Sequence, residues 1–128
     1  MLIVEDDLSI ASLIADALES ELGVTTTTLH DGAEAIRFLA QQQVDMVILD
    51  YQLPGANGIQ VCDAMQQFSH MHDVSVLFVT ANAERADFQS RHLQYIRKPF
   101  DLTNFLDTVE HCLYQGQASH LAVVRPHV

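Results

Sequence analysis

The 128-residue chain is long enough for one domain with a sizeable core, and 48% of its residues are hydrophobic, as in folded globular proteins. Its formal net charge is −11, and such a surface repels phosphate backbones, so we expect no direct nucleic-acid binding. We find no run of the roughly 20 apolar residues that a membrane helix needs and no signal-peptide pattern, so we expect a cytoplasmic protein that does not enter membranes.

The first half of the chain alternates short apolar strands with amphipathic helices. Leu2–Val4 is a strand that runs into three acids, and residues 24–29 form a threonine-rich second strand. Ser9 or Asp7 can cap the first helix, and Gly23 suits its C-terminal end. Helical spacing marks its inward face as Ile10, Leu13, Ile14, Ala17, Leu18 and Leu22. The second helix follows Asp31-Gly32 and carries Ala33, Ile36, Phe38 and Leu39.

The second half continues the same alternation. The third strand ends at Asp50, and a helix from about Ile59 to Phe68 carries Val61, Cys62 and Met65 inward. A fourth strand at 74–79 ends at Thr80, and a polar helix is predicted at about 83–92. A short strand at 95–97 and a last helix after Asp101 complete the pattern. We expect residues 1–114 to form one domain and 115–128 to form a C-terminal tail or linker.

Connections this short between strands and helices favour right-handed parallel crossovers and therefore an α/β fold with a doubly wound parallel sheet. The carboxyl ends of all its strands then lie at one edge. Cys62 and Cys112 fall on apolar helix faces, which favours reduced core thiols over a disulfide or a metal pair. The pair His70 and His72 is better explained as solvated loop residues than as metal ligands.

Asp50 is the most informative residue, because it follows the apolar run Met46–Leu49 and precedes a Pro-Gly turn. A carboxylate at the carboxyl end of a buried strand is where a nucleophile or a metal ligand lies in open α/β folds. By itself, the same pattern also fits a polar residue that simply begins a loop.

The other strand ends strengthen the functional interpretation of Asp50. The topology brings it to the same edge as a group of further polar residues: Glu5, Asp6, Asp7, Thr80 and Lys98. Several carboxylates in one pocket repel each other unless a cation neutralises them, and carboxylate oxygens suit Mg²⁺. An adjacent ammonium and hydroxyl complete a site for a phosphoryl group, and an aspartate can itself become phosphorylated.

Four motifs in order resemble the receiver domains of two-component response regulators. They are Val4-Glu5-Asp6-Asp7, Asp50 with Leu53-Pro54-Gly55 and Gly58, Val79-Thr80-Ala81, and Lys98-Pro99-Phe100. The resemblance covers about residues 1–114. It implies a flavodoxin-like five-stranded sheet in the order 2-1-3-4-5, five helices and a cis bond before Pro99.

The resemblance also implies how phosphate would be accepted. Asp50 would take a phosphoryl group from a sensor histidine kinase or a phosphotransfer protein, so the domain would be a phosphoacceptor that assists its own phosphorylation and dephosphorylation rather than an enzyme. Asp6, Asp50 and the backbone carbonyl of Gln52 would bind Mg²⁺, and Glu5 would act through a metal-bound water. We read Asp7 as a helix cap or supporting charge.

Further residues would stabilise the phosphoryl group and transmit the signal. Thr80 and Lys98 would contact the phosphoryl oxygens, and Ala81 would leave room for them. Thr80 and Tyr95 would form the switch, while Gln52 and Asn82 would tune dephosphorylation. The switch would control a fused or separate effector, and a homodimer is possible.

One departure from the family pattern stands out. The interval from Thr80 to Lys98 is about four residues, or one helical turn, shorter than is usual in the family. We therefore expect the fourth helix to be shortened or displaced. The alternative function is a pseudo-receiver that acts only as a protein-interaction module. A phosphatase would place its nucleophile on the first strand, and a flavin carrier would not place acids beside its phosphate, so both fit less well.

Overall fold

The structure is a computed structural model that describes residues 1–81 and 93–121, with only the backbone for 115–121. Its strands are β1 (Leu2–Val4), β2 (Thr27–Leu29), β3 (Met46–Leu49), β4 (Ser75–Thr80) and β5 (Gln94–Arg97). Its helices are α1 (Leu8–Leu22), α2 (Gly32–Gln41), α3 (Gly58–Gln66) and α4 (Leu102–Leu121), with a short 3₁₀ helix at Ser69–Met71.

The five strands form one parallel sheet in the order β2-β1-β3-β4-β5, which confirms the predicted fold. The registers pair Val4 with Leu49 and Leu49 with Phe78, so the strands end close to one another. The part of the chain that the structure describes contains four α-helices. The predicted helix at 83–92 lies outside the described residues.

Hydrophobic side chains alternate between the two faces of the sheet, as the pleat of a strand requires. Leu2, Val4 and Leu49 pack under α2 and α3, whereas Ile3 and Ile48 pack under α1 and α4. All residues of β1 and β3 are buried, because helices cover both faces. The apolar runs read from the sequence are therefore inner strands.

Two helix faces differ from their predictions. Leu13 was expected to point inward but is 49% exposed, and Ala11 is buried instead. Leu13 lies about 100° around α1 from the buried Ile14, so it falls outside the core-facing stripe. In α2 the fully buried apolar side chains are Ala35 and Leu39, while Ile36 is only partly buried.

The termini of the elements are close to expectation. Strand β2 begins at Thr27 rather than at residue 24. Gly23 ends α1 with a φ of 67°, a left-handed conformation that glycine adopts without strain. The backbone of α4 remains helical to Leu121, so the first part of the predicted tail is helical. The domain boundary at residue 114 stays a prediction.

The cysteines and the histidine pair have structural roles. Neither Cys62 nor Cys112 forms a disulfide, and both are buried, as predicted. His70 and His72 are exposed, and each ring Nε2 donates to a carbonyl near a helix C-terminus, Leu39 at 2.8 Å and Gln66 at 3.0 Å respectively. Such bonds satisfy carbonyls that have no partner within the helix. Among the described residues, no helix is both long and apolar enough to cross a membrane.

Candidate functional site

Backbone hydrogen bonds beyond the ends of the strands bring Glu5 and Asp50 side by side. The N–H of Asp50 donates to the carbonyl of Val4 at 3.1 Å, and the N–H of Glu5 donates to that of Leu29 at 3.0 Å. Both contacts extend the parallel sheet by one residue. The two acids therefore meet at the carboxyl edge because their positions follow directly after β1 and β3.

Lys98 reaches the same pocket from the end of β5, the edge strand next to β4. Its N–H donates to the carbonyl of Thr80 at 3.0 Å, and the peptide bond before Pro99 is cis, as expected. Thr80 is itself only 1% exposed at the end of β4. Three strand ends that are distant in sequence thus surround the carboxylate of Asp50.

The lysine bridges two buried carboxylates. Its Nζ lies 2.6 Å from Oε1 of Glu5 and 2.9 Å from Oδ2 of Asp50. The exposed fractions of the three side chains are 16% for Lys98, 3% for Glu5 and 9% for Asp50. The second oxygen of Asp50 accepts from the N–H of Tyr51 at 2.7 Å. Both oxygens of the candidate nucleophile are therefore held by donors.

Burial and neighbouring charges act in opposite directions on this cluster. Burial, and then the negative charge of Asp50, raise the pKa of Glu5 above its ordinary value, although the hydrogen bond from Lys98 opposes them. Burial alone would lower the pKa of Lys98, but its bonds to Glu5 and Asp50 outweigh burial and raise that pKa. The side chain of Lys98 therefore stays charged, whereas the carboxylate of Glu5 is costly to keep ionised beside that of Asp50.

Three carboxylates are close enough to share one cation. Oxygens of Glu5, Asp6 and Asp50 all lie within 4.8 Å of one another, and Asp6 is exposed while the other two are buried. Three negative charges against the single ammonium of Lys98 leave an excess that a divalent cation would offset. An all-oxygen set with one side open to solvent suits Mg²⁺, which keeps several waters. The residues therefore fit the ion that was predicted.

Asp7 has the capping position that was expected. Its Oδ1 accepts from the N–H groups of Ser9 at 2.9 Å and Ile10 at 3.0 Å, and its own N–H donates to Glu5 Oε2 at 3.2 Å. It thereby joins the start of α1 to the acidic pocket.

The remaining predicted residues are close in sequence to residues of the pocket. Gln52 is exposed two positions after Asp50, and Ala81 is exposed directly after Thr80. Tyr95 lies on β5 and is 42% exposed. Asn82 lies outside the described residues. The structure thus assembles Glu5, Asp6, Asp50, Thr80 and Lys98, whereas the roles of Gln52, Ala81 and Tyr95 stay predictions.

Two contacts at the site were not predicted from the sequence. A Cβ on Gly58 would lie 2.5 Å from the carbonyl oxygen of Asp50, so this position needs glycine for the close approach of α3. The ring Nδ1 of His30 lies 2.8 Å from the carbonyl oxygen of Glu5. This second contact joins the ends of neighbouring strands, and no local pattern around His30 indicates it.

The structure is thus a five-stranded doubly wound sheet with acids, a hydroxyl and a lysine at its carboxyl edge. The sequence model of the family described as response regulator receiver domain matches residues 1–110. The chain therefore belongs to the receiver domains of two-component response regulators.

Relatives and solved structures agree with this assignment. The DNA-binding response regulator MtrA of Mycolicibacterium paratuberculosis is 35% identical over 104 residues, which are 78% of this chain and 44% of that protein. The chain thus spans less than half the length of this relative. The response regulator TrrA of Thermotoga maritima, solved in complex with Mg²⁺ and BeF, is similar with a TM-score of 0.75 and 27% identity, over 87% of this chain and 96% of that one.

A further solved structure supports the fold alone. The signal receiver domain of a putative LuxO repressor protein from Vibrio parahaemolyticus has a TM-score of 0.82 and 23% identity. The match covers 97% of this chain and 96% of that one.

Proposed function

We propose that Asp50 accepts a phosphoryl group from the phosphohistidine of a sensor histidine kinase or a phosphotransfer protein. The observation that carries the proposal is the environment of its carboxylate, which binds the ammonium of Lys98 and lies close to the acids Glu5 and Asp6. The complex of the similar TrrA with Mg²⁺ and BeF supports the same assignment.

In the proposed reaction one oxygen of Asp50 attacks phosphorus. The new O–P bond forms as the P–N bond of phosphohistidine breaks, and the electron pair of that bond stays on the imidazole nitrogen. Lys98 and the N–H of Tyr51 already hold the two carboxylate oxygens, so the attacking group is oriented before the phosphodonor arrives. The ammonium of Lys98 then lies beside the incoming phosphoryl oxygens and offsets their charge.

Asp6, Asp50 and the backbone carbonyl of Gln52 would hold Mg²⁺ directly, and Glu5 would do so through a water. When bound, the ion neutralises charge on the phosphoryl oxygens. A contact through water would allow Glu5 to keep its bond to Lys98 at 2.6 Å. Glu5 and Asp50 would thus contribute both to holding the lysine and to binding the cation, whereas Asp6 would contribute to the cation alone.

Phosphorylation places a charge of about −2 at the edge of the sheet, and this charge would favour a second conformation. We propose that Thr80 moves toward the phosphoryl oxygens, that Ala81 leaves them room and that Tyr95 follows. Gln52 and Asn82 would position the water that removes the phosphate.

The output of the switch would be a fused or separate effector. The similar MtrA, a DNA-binding response regulator more than twice as long as the matched segment, supports control of a fused effector. We expect the exchange to take place in the cytoplasm, with the domain acting as a phosphoacceptor rather than as an enzyme on a separate substrate. A homodimer also stays a prediction.

The direct test is incubation with acetyl phosphate and Mg²⁺ followed by intact mass measurement. The wild type should gain one phosphoryl adduct, and Asp50→Asn should gain none. Asp45→Asn is the matched control, because Asp45 is an exposed acid that precedes β3 and so lies at its opposite end. An equal adduct on Asp50→Asn would refute the assignment of the acceptor. No adduct on the wild type would favour the interaction-module alternative.

A further inference from the structure

We infer that His30 is a positioning residue for the cation site, an inference that rests on the proposed function. Its ring Nδ1 lies 2.8 Å from the carbonyl oxygen of Glu5, 25 positions earlier in the chain. Because a carbonyl oxygen can only accept, the bond requires the proton to be on Nδ1. His30 follows directly after β2, the edge strand next to β1.

The bond from His30 completes a clamp on the backbone of Glu5. The N–H of Glu5 donates to the carbonyl of Leu29 at 3.0 Å, and its carbonyl accepts from the adjacent His30. Both polar groups of one residue are thus held by two consecutive residues at the end of β2. The clamp lies just beyond the last strand pair, Val4 with Leu29, so the bond from His30 adds to the final backbone bond between these two strands.

This clamp orients the peptide that joins Glu5 to Asp6. The carbonyl that His30 binds belongs to that peptide, and because a peptide is planar the direction of its oxygen also fixes the N–H and the Cα from which the side chain of Asp6 extends. Asp6 is exposed, yet its carboxylate must stay within 4.8 Å of those of Glu5 and Asp50 to share a cation with them. Outer partners that orient ligands commonly matter for metal affinity. We therefore assign His30 the task of keeping Asp6 in place.

The test compares His30→Ala with His30→Asn in the full chain. Asparagine keeps an N–H donor near the position of Nδ1, whereas alanine keeps none. Mg²⁺ affinity is measured by titration of the metal alone, followed by the amide chemical shifts of Asp50 and Tyr51. We expect His30→Ala to weaken Mg²⁺ binding about tenfold, and His30→Asn to restore most of the loss.

His72→Ala is the matched control, since its ring also donates to a backbone carbonyl, that of Gln66 at the end of α3. It should leave Mg²⁺ affinity unchanged. Labelling of His30→Ala by acetyl phosphate should recover at saturating Mg²⁺, because Asp50 and Lys98 are intact. Without Mg²⁺, the melting temperature of His30→Ala should differ from that of the wild type by no more than the melting temperature of His72→Ala does.

Each contrary outcome overturns the inference. Unchanged Mg²⁺ affinity in His30→Ala would show that the bond does not position Asp6. A labelling defect that persists at saturating Mg²⁺, or a loss that His30→Asn does not rescue, would assign His30 a different role. Failure of the wild type to bind Mg²⁺ or to be labelled would instead refute the proposed function, so the two failures are distinguishable.

Discussion

Replacement of Lys98 with methionine should destabilise the protein, because it removes the only ammonium from a pocket of buried carboxylates. Methionine preserves the unbranched, flexible shape of the side chain. What disappears is the pair of contacts to Glu5 at 2.6 Å and to Asp50 at 2.9 Å. The two carboxylates are then left close together without a compensating charge.

The size of the effect follows from burial. Loss of one partner of a buried ion pair costs about 3–5 kcal/mol, since an uncompensated charge remains. The side chain of Lys98 is 16% exposed, so water can partly solvate the carboxylates that the variant leaves unpaired. We therefore expect the free energy of unfolding to fall by about 3 kcal/mol, the lower limit of that range. That corresponds to a decrease in melting temperature of roughly 10 °C for a chain of this size.

The assay is urea unfolding in EDTA at pH 7, which excludes adventitious cations. Arg97→Met is the matched control, because Arg97 is the exposed neighbour of Lys98 and its loss changes the net charge by the same amount. Addition of Glu5→Gln to Lys98→Met should recover more than half of the lost stability, because one of the unpaired charges is gone. Mg²⁺ should stabilise Lys98→Met more than the wild type, by supplying the missing positive charge.

A loss in Lys98→Met no larger than that in Arg97→Met would refute the reasoning. It would mean that the carboxylates of Glu5 and Asp50 are well solvated or protonated without the lysine. Additive effects of Glu5→Gln and Lys98→Met would also contradict it, since residues in one ion-pair network should be coupled.

Three further predictions test other parts of the structure. The pKa of Lys98 is raised in the fold, so the stability that this lysine contributes is complete below the ordinary lysine pKa of about 10.4 and is lost as pH rises through the higher folded value. The difference in unfolding free energy between wild type and Lys98→Met should therefore be constant from about pH 8 to 10 and smaller near pH 11. Gly32→Ala should impair Asp50 labelling, measured by intact mass, because its Cβ would overlap a backbone carbonyl of the loop after β3. Gly23→Ala should lower the free energy of unfolding in urea by about 1–2 kcal/mol, because of its left-handed φ, and should leave labelling intact. Burial raises the pKa of the Cys112 thiol, so iodoacetamide should modify it slowly in the folded protein and rapidly in urea; equal rates would contradict its burial.

Several parts of the molecule were predictable from sequence because their signals are local. A run such as Met46–Leu49 can be satisfied only by burial on both faces, and short connections favour parallel crossovers, so a doubly wound parallel sheet was predictable from the pattern. The strand order came from the resemblance of the motifs to receiver domains. The parallel strands then brought Glu5, Asp50 and Lys98 to one edge, which motif spacing had indicated.

Tertiary structure decided the features that depend on contacts between distant segments. Leu13 has the apolar character of a core residue, but the way in which α1 lies on the sheet leaves it in solvent. The ring of His30 reaches the carbonyl of Glu5 only because β2 pairs with β1, and the bridge from Lys98 to two carboxylates depends on distances that no sequence spacing specifies. Periodicity determines which face of an element can be buried, whereas packing determines which of its side chains meet.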